Sequence, residues 1–370
     1  MEKKPLKILY TASTDGHFRS FHLPYLAALC RGGHSVTAAA RGDGHGLPEG
    51  ITFTDVPFTK SFVSVQNLRA ARMLSELMRR ERYDVIIAHT SLAAFFTRLA
   101  VRLAGKGEST VINTVHGYLF DDMTPLPKRM MMLEAEKLMA GVTDTVLTMN
   151  ETDRVIAERH RLAERVIPID GMGVPLDRFS PASGEEKREA RRRLAIPEGA
   201  LVLLYAAEFS KRKNQLFLID AMTKLPADCI LLLPGQGELW EDCRARAAEL
   251  GLSDRVLLPG FSDMREMLAA ADVCVSSSRS EGLPFHVMEA MGAALPCVLT
   301  RVKGHEDLLP GERAGFLYPF NDADAFASAV EKLHDDAALR KEMGEFARES
   351  VQRYSLDRVL PGLLSLFQGQ

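Results

Sequence analysis

The chain has 370 residues, which is enough for two domains of ordinary size. Hydrophobic residues make up 46% of it and charged residues 26%, a globular composition, and a net charge of −3 argues against a dedicated nucleic-acid-binding protein. The five cysteines lack metal-ligand spacing and no apolar run approaches the ~20 residues of a membrane span, so we expect a protein of the reducing cytoplasm without a transmembrane helix.

Short β-rich runs alternate with helical patterns from the start of the chain, which indicates parallel α/β layers. Helical patterns fall between most of the strands of the first half, at Arg19–Arg31, Asn67–Arg82, Leu92–Leu103 and Lys128–Ala140. The strands themselves are predicted at Lys7–Ala12, Ser35–Ala40, Thr52–Val56, Asp84–His89, Thr110–Val115, Asp144–Met149 and Arg165–Ile169.

A stretch rich in glycine and proline, Gly171–Pro181, follows and is typical of a hinge between domains. We therefore expect an α/β fold of two doubly wound, Rossmann-like domains, one at residues 1–172 with a C-terminal helix at about 355–370, the other at 173–354. The predicted strands of the second domain are Leu201–Ala206, Cys229–Leu233, Val256–Leu258, Asp272–Ser277, Pro296–Thr300 and Gly315–Tyr318, and the last helix lies near Leu356–Phe367.

The nonapeptide at residues 281–289, Glu-Gly-Leu-Pro-Phe-His-Val-Met-Glu, carries the strongest functional signal. Gly282 leaves the backbone amides open to a ligand, and Pro284 suits the first position of a helix, whose free N–H groups favour an anion such as diphosphate. Glu281 is expected in the loop beside that anion. Glu289 is expected within the helix, in an apolar run where a carboxylate needs a partner, and sugar hydroxyls would supply one.

This nonapeptide resembles the Glu-(seven residues)-Glu motif of retaining nucleotide-sugar glycosyltransferases, specifically glycosyltransferase family 4 with the GT-B fold. The resemblance covers almost the whole chain, and Thr14–Tyr25 is similar to transferases of bacterial capsule and exopolysaccharide synthesis. It implies an enzyme that moves a sugar from a nucleotide-sugar donor, probably UDP-linked in this case, to a hydroxyl of a lipid-linked acceptor. It also implies that residues 1–172 bind the acceptor and 173–354 the donor across a cleft, with the last helix crossing back to the first domain.

The loop after the strand at Leu201–Ala206 is where the family places a basic pair on the diphosphate, an arginine and a lysine five residues on. Lys213 matches the lysine, but Glu208 stands where the arginine is commonest. Arg212 either compensates for that departure or is a solvated surface charge. A cation at this place has a clear use, because the leaving diphosphate gains negative charge as the glycosidic bond breaks.

The remaining site residues implied by the resemblance also follow strands. His116 matches a histidine that approaches the donor sugar, Gly16 lies in a loop where many members have two glycines, and Phe261 is the expected floor for the nucleobase. Either His17 or His22 touches a substrate, or both pack on a helix start. The other implied donor-binding residues are Gly235, Gly237, Gly282, Leu283 and Pro284.

No metal ion or cofactor is expected. Asp322-Ala323-Asp324 has the spacing by which a different transferase fold holds a metal, but a helical pattern follows directly, so helix capping explains it better. Two rival functions remain: a UDP-sugar epimerase of the same fold, and a non-catalytic nucleotide-sugar-binding subunit. The pattern of Glu281 and Glu289 is typical of transferases, whereas the substituted Glu208 favours the subunit.

A lipid-linked acceptor would require peripheral contact with the anionic inner face of the membrane. Two basic stretches with interleaved Met and Leu fit an interfacial helix, Arg69–Arg82 and Pro127–Ala140. Amphipathic helices more often bury such residues in their own domain, so burial of Met130–Met132 would assign the second stretch to the core.

Overall fold

The structure is a computed structural model that describes residues 4–121 and 123–368. It divides into a first unit, residues 1–173 and 357–370, and a second unit, residues 174–356. The strands are β1 Lys7–Thr14, β2 Ser35–Arg41, β3 Thr52–Asp55, β4 Val85–His89, β5 Thr110–Val115, β6 Thr145–Thr148, β7 Arg165–Pro168, β8 Leu201–Leu204, β9 Cys229–Pro234, β10 Val256–Gly260, β11 Val273–Ser276, β12 Cys297–Thr300 and β13 Gly315–Tyr318.

Helices lie between most of these strands, as the alternating pattern predicts. They are α1 Asp15–Phe21, α2 Leu23–Arg31, α3 Val65–Glu81, α4 Ser91–Ala104, α5 Leu126–Ala140, α6 Glu151–Arg159, α7 Gly184–Arg193, α8 Gln215–Ala221, α9 Trp240–Glu249, α10 Met264–Ala270, α11 Phe285–Gly292, α12 His305–Leu308, α13 Ala323–Asp335, α14 Ala337–Ser350 and α15 Leu356–Phe367. Within residues 4–121 and 123–368, no helix is long and apolar enough to cross a bilayer.

The first unit is built on a seven-stranded parallel sheet in the order β3-β2-β1-β4-β5-β6-β7. Its inner strands are buried on both faces, so they read as continuous apolar runs, such as the fully buried Ile8, Leu9 and Tyr10 of β1. The edge strands β3 and β7 are partly exposed. Strand order reverses between β1 and β4, which is where doubly wound sheets bind ligands at the carboxyl ends of their strands.

The last helix, α15, belongs to the first unit from Asp357 onward. Its Phe367 is fully buried, with ring centroids 6.0 Å from those of Tyr10 and of Tyr25. The prediction of a C-terminal helix that returns to the first domain is therefore confirmed. Residues 369 and 370 of the predicted range lie outside the described part of the chain.

The single helix predicted at Arg19–Arg31 is wrong, because the structure has two helices there. Thr14 caps α1, its Oγ1 accepting a hydrogen bond of 3.3 Å from His17 N, so the helix begins four residues earlier than expected. His22 then leaves the helical conformation and Pro24 lies in the first turn of α2. Proline cannot donate the hydrogen bond that a continuous helix needs at that position.

The second unit is built on a six-stranded parallel sheet in the order β10-β9-β8-β11-β12-β13. Its order reverses between β8 and β11. The chain enters and leaves this unit side by side: Val174 N donates to Tyr354 O and Leu356 N donates to Val174 O, both at 2.9 Å. The unit is thus closed at its base by backbone hydrogen bonds.

Candidate active site

Three loops at the carboxyl edge of the second unit's sheet are joined by backbone hydrogen bonds. Phe209 N after β8 donates to Gln236 O after β9 at 2.9 Å, and Gly235 N donates to Gly260 O at the end of β10 at 2.8 Å. Glycine is required at Gly235 and Gly237, because a Cβ would fall onto the Ala207 carbonyl at the first and lie 2.6 Å from Phe209 N at the second. The turn that contains Gly235 and Gly237, two of the predicted donor-binding residues, therefore packs directly against the backbone of the loop after β8.

A group of paired charged side chains lies at the topological switch point of the second unit, between the loops that follow β8 and β11. Lys213 Nζ lies 2.5 Å from Glu281 Oε1, and Arg212 Nη1 lies 3.0 Å from Glu281 Oε2. Glu281 and Lys213 are buried, whereas the Arg212 side chain is 48% exposed. Of the predicted site residues, these three are brought into direct contact.

Neighbouring groups keep Glu281 ionised. Burial alone would raise the pKa of its carboxyl, but the charges of Lys213 and Arg212 outweigh this effect and hold the pKa well below its usual value. Ser278 Oγ adds a hydrogen bond of 2.5 Å to Oε1 and is itself 2.7 Å from the buried hydroxyl of Tyr205. Glu281 is thus an oriented carboxylate before any ligand is bound.

The helix predicted after Gly282 is α11, but Pro284 is its N-cap and Phe285 its first residue. The expectation that Pro284 occupies the first helical position is therefore wrong by one residue, since its ψ of 117° is still extended. Leu283 is buried beneath this turn. Glu289 lies in the second turn of α11, where burial raises the pKa of its carboxyl to about 7.

The loop after β12 packs against the Glu281 loop. Gly304 has φ +80°, and a Cβ there would lie 2.6 Å from Gly282 O and 3.1 Å from Glu281 C. His305 is fully buried, with its Nδ1 2.8 Å from Thr300 O. The lack of a side chain at Gly304 therefore allows the loop after β12 to pack directly against the Glu281 loop.

Two further predicted positions of the second unit face solvent. Phe261, after β10, is 91% exposed, so its ring is open to stacking. Glu208 is exposed, and its backbone carbonyl accepts a hydrogen bond of 3.0 Å from Gln215 Nε2.

Asp322 caps α13, its Oδ1 accepting from Ala325 N at 2.9 Å, and Asp324 pairs with Lys224, so capping accounts for the Asp-x-Asp spacing.

A cluster of histidines lies at the switch point of the first unit. His89, at the end of β4, has its Nδ1 3.1 Å from Nε2 of His116, which follows β5. The ring of His22 lies 4.3 Å from that of His89 and 5.7 Å from that of His116, and the ring of His17 lies 5.2 Å from that of His116. His116 is thus held among other histidines, and burial lowers its pKa well below the usual value, so the ring is neutral.

Gly16 lies in the first turn of α1, so the prediction that it lies in a loop is wrong, whereas its contact with the donor stays a prediction. A Cβ at Gly16 would meet only ordinary contacts, 3.7 Å from Arg19 Nη2 and 3.8 Å from Thr14 Oγ1. The helix begins early because Thr14 caps it, which removes the loop expected at this position.

Sequence reasoning missed Ser278 and Tyr205, which orient Glu281, and His89, which contacts His116. Ser278 stands in a run of three serines, and the run gives no indication of which hydroxyl turns to the carboxylate. His89 ends a predicted strand beside the strand that precedes His116, so adjacency of those two strands was the one signal available.

Two parallel, doubly wound sheets with these loops define the GT-B class of glycosyltransferase fold. The solved structure titled Anabaena Alr3699/HepE in complex with UDP and glucose has a TM-score of 0.79 to this chain, at 17% identity, over 99% of this chain and 100% of that one. The model described as Glycosyltransferase Family 4 matches residues 25–202, and the model described as Glycosyl transferases group 1 matches residues 186–350.

Relatives of known sequence agree with these matches. A Bacillus subtilis (strain 168) protein named as glycosyltransferase EpsD is 33% identical over 98% of this chain and 96% of its own length. The UDP-Gal:alpha-D-GlcNAc-diphosphoundecaprenol alpha-1,3-galactosyltransferase of Escherichia coli is 28% identical over 74% of this chain and 72% of its own. The chain belongs to glycosyltransferase family 4, and the prediction of that family and of the GT-B fold is confirmed.

Proposed function

We propose that this protein is a retaining glycosyltransferase that moves a sugar from a UDP-sugar to an acceptor hydroxyl in polysaccharide synthesis. The observation that carries the proposal is the oriented Glu281 carboxylate beside the buried Lys213 cation at the switch point of the second unit. The Escherichia coli relative, named for a UDP-galactose donor, supports the choice of nucleotide.

In the proposed mechanism the second unit, residues 173–354 in the predicted division, binds the donor. Lys213, Arg212 and the N-terminal amides of α11 face the diphosphate, Glu281 accepts hydrogen bonds from sugar hydroxyls, and Glu289 accepts them from the ribose diol. These assignments use an anion site at a helix N-terminus and a cation where negative charge develops. Gly235, Gly237 and Phe261 line the nucleoside.

The acceptor oxygen attacks the anomeric carbon from the face that the diphosphate leaves, so the anomeric configuration is kept. The bond from the anomeric carbon to the phosphate oxygen breaks, and the leaving phosphate takes the proton of the acceptor hydroxyl. Catalysis is then positioning together with stabilisation of charge on the phosphate. His116, in the first unit, is the candidate for contact with the transferred sugar.

A ligand-shift screen of UDP-, GDP- and ADP-sugars, followed by incubation of the best donor without acceptor, tests the proposal. Slow release of free sugar with retained configuration is expected of a transferase that uses water poorly. A new epimer would instead show a UDP-sugar epimerase, and binding without turnover would show a non-catalytic subunit. Preference for a GDP- or ADP-sugar would refute the assignment of UDP.

Transfer is expected to need no divalent ion, because Lys213, Arg212 and the amides of α11 supply positive charge to the diphosphate. Enzyme treated with chelator should keep its turnover in the same donor assay. If activity is lost with chelator and returns with magnesium or manganese, metal-free catalysis is refuted and Asp322 and Asp324 are to be reconsidered.

Nucleotide affinity should depend on the ionisation of Glu289. The pKa of the Glu289 carboxyl in the protein without UDP is about 7, and the ribose diol donates hydrogen bonds to the ionised form. UDP affinity should therefore rise by up to about tenfold from pH 6 to pH 8. Isothermal titration of wild type and Glu289→Gln measures this, and the titration of UDP itself cancels in the comparison. An identical pH dependence in the two proteins would remove Glu289 from the ribose.

The same carboxyl affects folding stability in the opposite sense. Its folded pKa is raised above the unfolded value, so the folded state binds more protons between about pH 4.5 and pH 7, and stability falls as the pH rises through that range. The pH series should therefore be read at temperatures where both proteins remain folded, as followed by circular dichroism.

We propose that the acceptor is lipid-linked and that α5 and the loop before it meet the anionic inner face of the membrane. The Escherichia coli relative is named for a diphosphoundecaprenol acceptor, which supports this choice. Met130 and Met131 are 51% and 54% exposed. Met132 is partly buried against the core of the first unit, so only one face of this stretch is open to a membrane. The exposed apolar side chains here are Leu119, Met123, Leu126, Met130, Met131 and Leu138.

The other stretch considered for membrane contact, Arg69–Arg82, packs against its own domain. Leu74, Leu77 and Met78 of α3 are buried in the core of the first unit. This helix is therefore an ordinary amphipathic surface helix, and the membrane proposal rests on α5.

Co-sedimentation with vesicles tests the contact. Binding to anionic but not neutral vesicles is expected, weaker at moderate than at low salt, since each cation near an anionic leaflet contributes ~1 kcal/mol. The double variant Lys128→Glu/Arg129→Glu should lose it, whereas Arg244→Glu/Lys341→Glu, with the same charge change in the second unit, should keep it. No binding under any condition would favour a water-soluble acceptor.

A further inference from the structure

The histidine cluster of the first unit offers more nitrogen atoms than its hydrogen bonds use. His17 comes from α1, His22 from the junction of α1 and α2, and His116 from the loop after β5. One ring nitrogen of each lies within 4.8 Å of the corresponding nitrogens of the other two. Three imidazoles therefore converge at the edge where the strand order of the sheet reverses.

Several of these nitrogens are buried without a partner. Among the described residues, Nε2 of His17 and Nε2 of His22 have no hydrogen-bond partner and no access to solvent. Buried polar atoms are nearly always paired, and an unpaired one calls for an explanation such as a bound ion. Two such atoms in one cluster point to a ligand that accepts lone pairs.

The other ring nitrogens are engaged in a way that suits metal ligands. Nδ1 of His22 lies 2.8 Å from the Tyr10 hydroxyl, and Nε2 of His116 lies 3.1 Å from Nδ1 of His89. Metal-binding histidines commonly use one nitrogen for such an orienting bond and the other for the ion. Tyr10 and His89 would hold the two rings in place.

We propose that His17, His22 and His116 bind a divalent transition-metal ion, with Zn²⁺ the physiological candidate. Imidazole ligands favour Zn²⁺, Cu²⁺ or Ni²⁺ over Mg²⁺ and Ca²⁺. Zn–N bonds of ~2.1 Å in tetrahedral geometry place ligand nitrogens ~3.4 Å apart, so side-chain rotation would close the present separations. The spacing of the histidines along the chain does not reveal this site, because its ligands come from separate segments.

Occupation of this site would act on transfer through His116. A metal-bound His116 cannot also contact the transferred sugar, so Zn²⁺ should inhibit an enzyme that needs no metal for its chemistry. This consequence, unlike the binding itself, rests on the proposed function.

Titration of metal-free, full-length protein with Co²⁺ tests the site directly. One equivalent should bind and give visible d–d bands, and Zn²⁺ should displace it. His17→Ala should weaken Co²⁺ binding by at least about tenfold. His334→Ala, which alters the separate group of Asp228, Cys229 and His334, should leave it unchanged. Absence of one-to-one binding, or binding that depends on His334 and not on His17, overturns the proposal.

The inhibitory effect has its own measurement. The donor assay is run with and without added Zn²⁺, and each protein is compared with its own metal-free rate. Zn²⁺ should inhibit the wild type, and His17→Ala should need a higher concentration for the same fractional inhibition. Because Co²⁺ binding is read without turnover, failure of the metal site and failure of the proposed transferase activity give different results.

Discussion

Replacement of Lys213 by alanine should lower turnover by ~10²–10³-fold at saturating donor. The lysine is the buried cation of the switch point, and loss of one preorganised stabiliser of developing charge typically costs that much in rate. The proposed role of Lys213 is to stabilise negative charge on the diphosphate as the glycosidic bond breaks. Steady-state transfer with a saturating UDP-sugar measures the effect.

The structure adds a stability cost that the sequence did not suggest. Without Lys213 the buried Glu281 loses its buried partner and keeps the half-exposed Arg212, and breaking a buried ion pair costs ~3–5 kcal/mol. The assay must therefore be run where circular dichroism shows the variant folded. Lys211→Ala, which removes an exposed neighbouring charge, is the matched control and should stay within about twofold of wild type. A folded Lys213→Ala enzyme with near-native turnover would remove the lysine from catalysis.

Glu281→Gln gives the reciprocal test. The amide keeps the size of the side chain but not the charge, so turnover should again fall by orders of magnitude, whereas UDP affinity should change little because Glu281 is assigned to the sugar. If Glu281→Gln instead lowers UDP affinity and leaves turnover at saturating donor unchanged, Glu281 would be assigned to the ribose and Glu289 to the sugar.

Gly304→Ala should damage both the stability of the fold and the position of the Glu281 loop. The new Cβ would lie 2.6 Å from Gly282 O, closer than a Cβ approaches a non-bonded atom, and the residue has φ +80°, which costs alanine ~1–2 kcal/mol before any clash. Overpacking adds ~1–3 kcal/mol, and relief of the clash must displace the Glu281 loop. We expect a loss of ~3 kcal/mol in the free energy of unfolding and a large fall in turnover.

Gly311→Ala separates the two causes. This glycine has nearly the same φ, +82°, but nothing lies within 4 Å of the Cβ position, so the variant should show only the backbone cost and normal turnover. Urea denaturation and the donor assay on both variants make the comparison. Equal losses in the two would mean that contact between the loops after β11 and β12 does not matter for the site.

Most of the fold was predictable because parallel strands buried on both faces read as continuous apolar runs. The predicted strand Thr110–Val115 is β5 to the residue, and Gly315–Tyr318 is β13. The split between α1 and α2 was not foreseen, because the helical pattern continues through His22 while capping by Thr14 and the missing donor of Pro24 act locally. Patterns of burial predict elements well but do not locate every interruption.

The part of the candidate site that lies within one short segment could be predicted from the sequence. The contacts between segments that meet only at the edge of the sheet could not. The nonapeptide from Glu281 to Glu289 contains its own loop and helix start. The pairing of Lys213 with Glu281 joins residues 68 positions apart, and it follows from β8 and β11 being neighbours in the sheet, which the order of strands along the chain does not reveal. The histidine cluster has the same origin in β1, β4 and β5.

The backbone hydrogen bonds that join Val174 to Tyr354 and Leu356 indicate how chimeras of this protein with its relatives can be made. The second unit starts and ends at adjacent points, so in sequence it is an insertion within the first unit. The first unit is formed by the chain on both sides of this insertion, residues 1–173 and 357–370. Residues 174–356 should therefore be exchangeable between relatives with two cuts at one place, and under the proposed function donor preference is expected to move with them. A protein truncated after residue 173 would instead lack α15, and the first unit would lose the aromatic contacts of that helix with Tyr10 and Tyr25.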